Sequence, residues 1–300
     1  MGLAGWAIAV QRAESTLGLV AGAGAALAWV AAATFCALAL LYAAKLIRHR
    51  DAVAREFAHP IKSSFFPAIS IGMILLAVAL HPVSAALSLA LLVAGAALGL
   101  ALTLAVLARW IGPTTFEVQH ASPPWFIPVV GNVLVPVAAV EHGYVEAGWF
   151  FFSVGIVFWL VLQTIVFNRM IFHHPLPAQL APTLFILMAP PAVAFIAYVK
   201  LAGVVDGFAR VLFYTALFMG LLLLKLYRSF LGIRFFLSWW AYSFPLAALT
   251  IATLLMYQRS GGAAFAALAW ALLALLTALV AALALRTVKA IAAREICVEE

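Results

Sequence analysis

The chain has 300 residues, 67% hydrophobic and 9% charged, with a mean hydropathy of +1.16 and a net charge of +7. A soluble domain carries about a quarter of its residues as charges, so this composition defines a polytopic membrane protein. It leaves no polar stretch for a separate ligand-binding or kinase domain. The basic excess sits in short connections between apolar runs, where it signals topology and is not a nucleic-acid footprint. Two cysteines, Cys36 and Cys297, offer neither a disulfide framework nor metal spacing.

The N-terminus has no basic n-region of a signal peptide. It begins with an apolar run, Gly2 to Val10, of nine residues, where a spanning helix needs about twenty. It is expected to be the back half of a truncated first helix. Runs of spanning length follow at 17–44, 63–80, 83–108, 125–140, 146–168, 180–199, 208–227, 236–257 and 263–285. Together they predict ten transmembrane helices, forming one transmembrane domain over residues 1–300. Two connections stand out: 45–62, which holds a charge-rich segment from His49 to Lys62, and 109–124, with Gly112-Pro113 and Ser122-Pro123-Pro124.

Lys and Arg divide unevenly between the two sides. Thirteen fall on the side of the C-terminus and four (Arg12, Lys200, Arg210 and Arg259) on the other. The bias predicts cytoplasmic N- and C-termini in a plasma (bacterial inner) membrane.

Four prolines interrupt apolar runs: Pro67, Pro128, Pro190 and Pro245, spaced 61, 62 and 55 residues apart. Each interval holds one further apolar run without an interrupting proline. This is a repeat of about one helical hairpin. A proline inside a membrane helix removes a donor and crowds the preceding turn. Such a break survives only where protein or a wet cavity re-satisfies the backbone. Parallel hairpin repeats are related by an axis along the membrane normal. The expected fold is therefore all-α, with five hairpins in a quasi-five-fold ring, kinked helices inside and straight ones outside. Gly95-x-x-x-Gly99 and Gly18-x-x-x-Gly22 are candidate close helix contacts.

No catalytic motif, metal-ligand set or cofactor fingerprint occurs. The ten acidic residues all fall in connections or tails, which argues against an ion pump. A path without carboxylates, with basic residues at its inner mouth, suits anions. Lys62 and Arg109 are the candidates for drawing anions to that mouth; as ordinary topological anchors they need no such role. His59-Pro60, His120-Ala121-Ser122-Pro123 and His173-His174-Pro175 precede kinked helices and read chiefly as angle-setting starts. Phe66, Asn132 and Ser243 stand near the prolines as candidate lining residues, although an interhelical hydrogen bond is the default for Asn132. Gln163, Thr164 and Asn168 take the same default. Phe244 lies directly before Pro245, above Trp239-Trp240. A ring at a bend can plug a narrow path, and it can equally be core.

Four segments resemble one family in order. They are His59-Pro60-Ile61-Lys62-Ser63-Ser64-Phe65-Phe66-Pro67, Pro123-Pro124-Trp125-Phe126-Ile127-Pro128-Val129-Val130-Gly131-Asn132, the stretch from Pro182 to Ala194, and Trp239-Trp240-Ala241-Tyr242-Ser243-Phe244-Pro245. The family is that of tellurite-resistance and dicarboxylate transporters, with bacterial TehA and the slow-type anion channels of plant guard cells. The resemblance implies a central pore in each subunit of a homotrimer and a phenylalanine gate matching Phe244. The function expected is passive conduction of small anions such as chloride or nitrate. The alternative is a carrier or exporter of C4-dicarboxylates such as malate, or of oxyanions such as sulfite or tellurite. No enzyme activity and no cofactor are expected.

Overall fold

Long apolar runs satisfy their backbone in lipid only as helices or closed barrels. In this protein helix is the only regular structure among the described residues, which are 1–112 and 116–295 of a computed structural model. Pro113, Cys297, Glu299 and Glu300 lie outside them. The helices are α1 (Gly2–Leu17), α2 (Ala23–Arg48), α3 (Arg50–Ala58), α4 (Ala68–Leu80), α5 (Ala85–Ile111), α6 (Phe126–Val130), α7 (Val135–Ala139), α8 (Val145–Phe172), α9 (Ala189–Ala202), α10 (Gly207–Lys225), α11 (Ser243–Ser260) and α12 (Ala263–Ala292). Nine stretches of the described residues are long and apolar enough to cross a membrane.

The alternation expected from the prolines is present in burial. The spans Lys62–Leu80, Pro123–His142, Ala181–Ala202 and Leu237–Ser260 are 67%, 89%, 67% and 67% buried, while the spans holding α2, α5, α8, α10 and α12 are 17–28% buried. Pairs α1–α2, α4–α5, α7–α8, α9–α10 and α11–α12 pack as hairpins. The inner members close a ring: α1 on α4, α4 on α7, α7 on α9, α9 on α11, and α11 back on α1.

Two sequence expectations are corrected. The first helix reaches further than its nine-residue apolar run: α1 has 16 residues and continues through Gln11, Arg12 and Glu14 to Leu17. The polar residues hid it because they lie at its end, where charged groups meet the interface. It spans about 24 Å, and its small residues Ala4, Ala7, Ala9 and Ala13 are buried in the ring. Second, Gly18 and Gly22 are not a helix contact. They bracket the α1–α2 turn, both with positive φ (74° and 111°). The connection 45–62 also holds a helix, α3, tied to α2 by Lys45 and Glu56 at 2.5 Å.

The prolines do not kink continuous α-helices. Short 3₁₀ segments lead into the α-helical half: Lys62–Phe65 before α4, Ala181–Met188 before α9 and Leu237–Tyr242 before α11. Pro67, Pro190 and Pro245 stand at or within the first turn of the α part. There a missing N–H costs nothing and the fixed φ suits the helix. The middle helix is the most broken, with Pro128 in α6 and Pro136 in α7 on either side of a 3₁₀ turn, Gly131–Leu134.

At the opposite end tight turns join each inner helix to its outer partner. Glu14 accepts from Gly24 N at 2.7 Å, Ser84 from Leu87 N at 3.3 Å and Asp206 from Ala209 N at 2.9 Å. Each satisfies an orphan donor at the start of an outer helix. Within the α4–α5 hairpin, a Cβ on Gly95 would lie 3.0 Å from Ile74 Cγ1 and 3.1 Å from Ser70 O. Gly95→Leu is expected to lower stability by about 1–3 kcal/mol through overpacking. A melting temperature in detergent equal to the parent's would show that this contact is looser than the distances require.

Candidate functional site

Several hydroxyls and an amide beside the irregular segments of the inner helices are turned to carbonyls, whereas Ser64 Oγ and Ser238 Oγ, inside the 3₁₀ segments, are buried without a partner. Ser70 Oγ donates to Pro67 O at 2.7 Å, Thr183 Oγ1 to Leu180 O at 2.5 Å and Ser243 Oγ to Trp240 O at 2.6 Å. Asn132 Nδ2 donates to Val129 O at 2.7 Å and to Thr103 Oγ1 on α5 at 2.9 Å, and Thr103 Oγ1 donates to Pro128 O at 2.5 Å. Asn132 and Ser243 are buried, with the Asn132 amide N–H and the Ser243 hydroxyl committed to these acceptors. Phe66 is half-buried and meets Phe57 and Tyr42 edge to face, with centroids 5.0 and 6.2 Å apart. That places it toward α2 and α3.

Pro67, Pro128, Pro190 and Pro245 are all buried. Phe244 differs from its neighbours: Ser243 and Pro245 are buried, while Phe244 is only partly buried and packs against the core. Its ring lies across the α1–α11 seam, where a Cβ on Gly5 would come 3.5 Å from Phe244 Cδ2. Glycine at position 5 lets this seam close, since the same Cβ would be 2.9 Å from Ala247 Cβ.

At the end of the ring where the 3₁₀ segments begin, Lys62 and Arg109 have different surroundings. Lys62 is exposed, and neither ion pair formed among the described residues includes it. Arg109 is half-buried. Its guanidinium donates to Phe57 O and Ala58 O, the last carbonyls of α3, and lies 5.2 Å from the Phe57 ring centroid. A cation on a helix C-terminus satisfies orphan acceptors there.

Two histidines at this end, His59 and His120, are caps. His59 Nδ1 accepts from Ile61 N at 3.1 Å and Lys62 N at 3.3 Å; His120 Nδ1 accepts from Glu117 N at 3.0 Å. Among the described residues no group of three or more metal-ligating side chains occurs.

A charged cluster at the other end went unnoticed in the sequence, where Lys200 is one of four bases on that side and Glu141 one of ten acids in connections or tails. They form an ion pair, with Arg12 lining the same space and Arg259 beside it. Each comes from a different hairpin, so the meeting depends on closure of the ring.

A ring of five hairpins with broken inner helices defines a polytopic membrane protein built around an axis. The model of the SLAC1 family, described as voltage-dependent anion channel, matches residues 1–288. The chain belongs to that family, which is one of channels and transporters, not enzymes. It is similar to the S-type anion channel SLAH2 of Arabidopsis thaliana, at 29% identity over 82% of this chain and 48% of that protein. It is similar to the guard cell S-type anion channel SLAC1 of the same plant, at 29% over 82% of this chain and 45% of that protein. The tellurite resistance protein TehA homolog of Haemophilus influenzae is 25% identical over 76% of this chain and 70% of its own length. The chain thus spans about half the length of the plant relatives.

Burial, with Lys62 and His120 nearby, holds the His59 imidazole below its ordinary value. As pH falls, the unfolded chain takes up its proton before the folded one. The His59 contribution to stability is therefore complete above about pH 6.5 and is lost as pH drops through that value. His59→Asn, which keeps a short acceptor, should make the fall in melting temperature between about pH 7.5 and about pH 5.5 shallower. An identical slope in both proteins would remove His59 from the explanation.

Proposed function

We propose that the whole chain, residues 1–300, acts as one transmembrane unit that passes small anions such as chloride or nitrate passively along the ring axis. The ring of Phe244 closes the path. The reading is supported above all by one observation. Phe244 is partly buried between fully buried neighbours on an inner helix, in the first turn of α11. Family membership and the names of the anion-channel relatives point the same way. Ser70, Thr183 and Ser243 spend their hydroxyls on backbone carbonyls beside the breaks, which favours an apolar constriction, and such a constriction closes by dewetting. The subunit is read as one third of a homotrimer in a plasma (bacterial inner) membrane, with the Lys62 mouth and both termini facing the cytoplasm.

The carrier reading, for C4-dicarboxylates or for sulfite or tellurite, predicts saturation and counterflow in loaded vesicles, whereas the channel reading predicts neither stoichiometric exchange nor proton coupling.

Two predictions follow from the geometry of the path. Phe244→Ala should give a folded protein with strongly raised anion current in a planar bilayer. A packing residue would instead cost about 3–5 kcal/mol on truncation and leave the current unchanged. A well-folded Phe244→Ala protein with parental current would sink the gate.

At the mouth, Lys62→Glu should lower anion flux without moving the melting temperature. Arg109→Gln should lower the melting temperature, because it strips charged donors from the α3 carbonyls, a loss of about 1–3 kcal/mol. If Arg109→Gln melts like the parent and reduces flux as Lys62→Glu does, the division between anchor and attractor is wrong.

A further inference from the structure

Two adjoining cavities of about 300 and 280 Å³ open at the hairpin-turn end of the ring. Arg12, Glu141 and Lys200 line both of them. All five inner segments contribute to their walls: α1 through Ile8, α4 through Val78, α7 through Val137, α9 through Val199 and α11 through Leu255. The cavities therefore lie over the axis that the ring surrounds, at the end opposite Lys62.

Charge in this space is unbalanced. Arg12, Lys200 and Arg259 line it, and among the described residues Glu141 is the only carboxylate on either wall. The Lys200 side chain is 14% exposed and its ammonium bonds to Glu141 Oε1. Arg12 is half-buried, and among the described residues its guanidinium donates no hydrogen bond. Arg259 reaches only Gly203 O, at 3.4 Å. Gln11 on the first wall is already committed to Ala79 O at 2.9 Å, whereas His81 Nδ1 on that wall is buried with no partner. A half-enclosed space with excess cationic donors and apolar walls concentrates anions. A guanidinium offers a planar fork of donors that suits an oxyanion.

We propose that Arg12 and Lys200 form a binding site for a small inorganic anion of the nitrate type, with Glu141 as a displaceable internal counter-ion. When the site is empty, Glu141 occupies Lys200, so the lysine is not left charged and unpaired in a largely buried position. An arriving anion takes the Lys200 ammonium and the free Arg12 fork, and the Glu141 carboxylate, 42% exposed, swings toward water. The site thus discriminates against cations by its net charge and sets anion affinity by competition. It rests on the anion-pathway reading for its class of ligand, and its test reads binding and not flux.

The test is the melting temperature of the purified full chain, titrated with nitrate against gluconate at constant ionic strength. A ligand that binds only the folded state raises the melting temperature by mass action. The parent protein should show a saturable rise with nitrate. Glu141→Gln removes the competitor and should lower the half-saturating nitrate concentration by about tenfold. The double variant Glu141→Gln with Lys200→Gln keeps a neutral hydrogen-bonded pair, strands no charge, and should lose the nitrate effect. Adding Arg12→Gln to Glu141→Gln should also abolish the gain.

An unchanged nitrate dependence in Glu141→Gln, or a nitrate effect retained in the double variant, overturns the site. The outcome is separable from that of the pathway. If Phe244→Ala conducts while no protein responds to nitrate, the site alone fails. If Phe244→Ala stays silent while the nitrate response follows the variants as described, the site stands and conduction fails.

Discussion

Backbone carbonyls that lose their helical partners inside a membrane govern this molecule. A buried unsatisfied polar group costs about 1–3 kcal/mol, and lipid offers it no water. The inner ring nevertheless contains 3₁₀ stretches as long as the eight residues Ala181–Met188, well beyond the usual length of such segments. They persist because side chains within or beside the ring answer the loosened carbonyls: Ser70, Thr103, Asn132, Thr183 and Ser243 each donate to one within a few residues of a break. An interhelical hydrogen bond in a membrane is worth only about 0.6–2 kcal/mol. The gain is therefore best understood as an avoided penalty at each junction.

Ser70, Thr183 and Ser243 look back at their own backbone, and Asn132 also reaches outward to Thr103 on α5. Charge is confined to the ends. Lys62 stands at one mouth, and Arg12, Lys200 and Arg259 at the other, partly offset by Glu141. On the proposed anion-path reading, charge at both ends would draw anions toward the axis from either side.

The repeat was legible because proline acts locally. Its fixed φ and missing donor mark each inner helix whatever the rest of the fold does, so the hairpin order and the inner and outer rings could be read from Pro67, Pro128, Pro190 and Pro245. The form of the break was not legible. A proline in an apolar run looks the same whether it kinks an α-helix or opens its first turn, and only the 3₁₀ lead-in distinguishes them. α1 was foreshortened in the sequence because Gln11, Arg12 and Glu14 interrupt its apolar pattern. They are tolerated because they stand at the mouth: Gln11 bonds to Ala79 O and Glu14 caps α2. Lys62 and Arg109 also looked equivalent as basic residues flanking spans. Their difference comes from α3, whose carbonyls claim Arg109 and whose existence the charged connection concealed.

The charged mouth was invisible for a related reason. Glu141 and Lys200 are 59 residues apart, about one hairpin repeat, so they occupy matching ends of neighbouring inner segments. Each alone is an ordinary interfacial charge. Ring closure brings them together, and α1 and α11 add Arg12 and Arg259 to the same cavities. A five-fold arrangement does this to any residue at the end of an inner helix: what the chain spaces by a hairpin, the axis gathers into one site. Side chains at equivalent repeat positions therefore act as a set, and substituting one changes the charge seen by all the others around the axis.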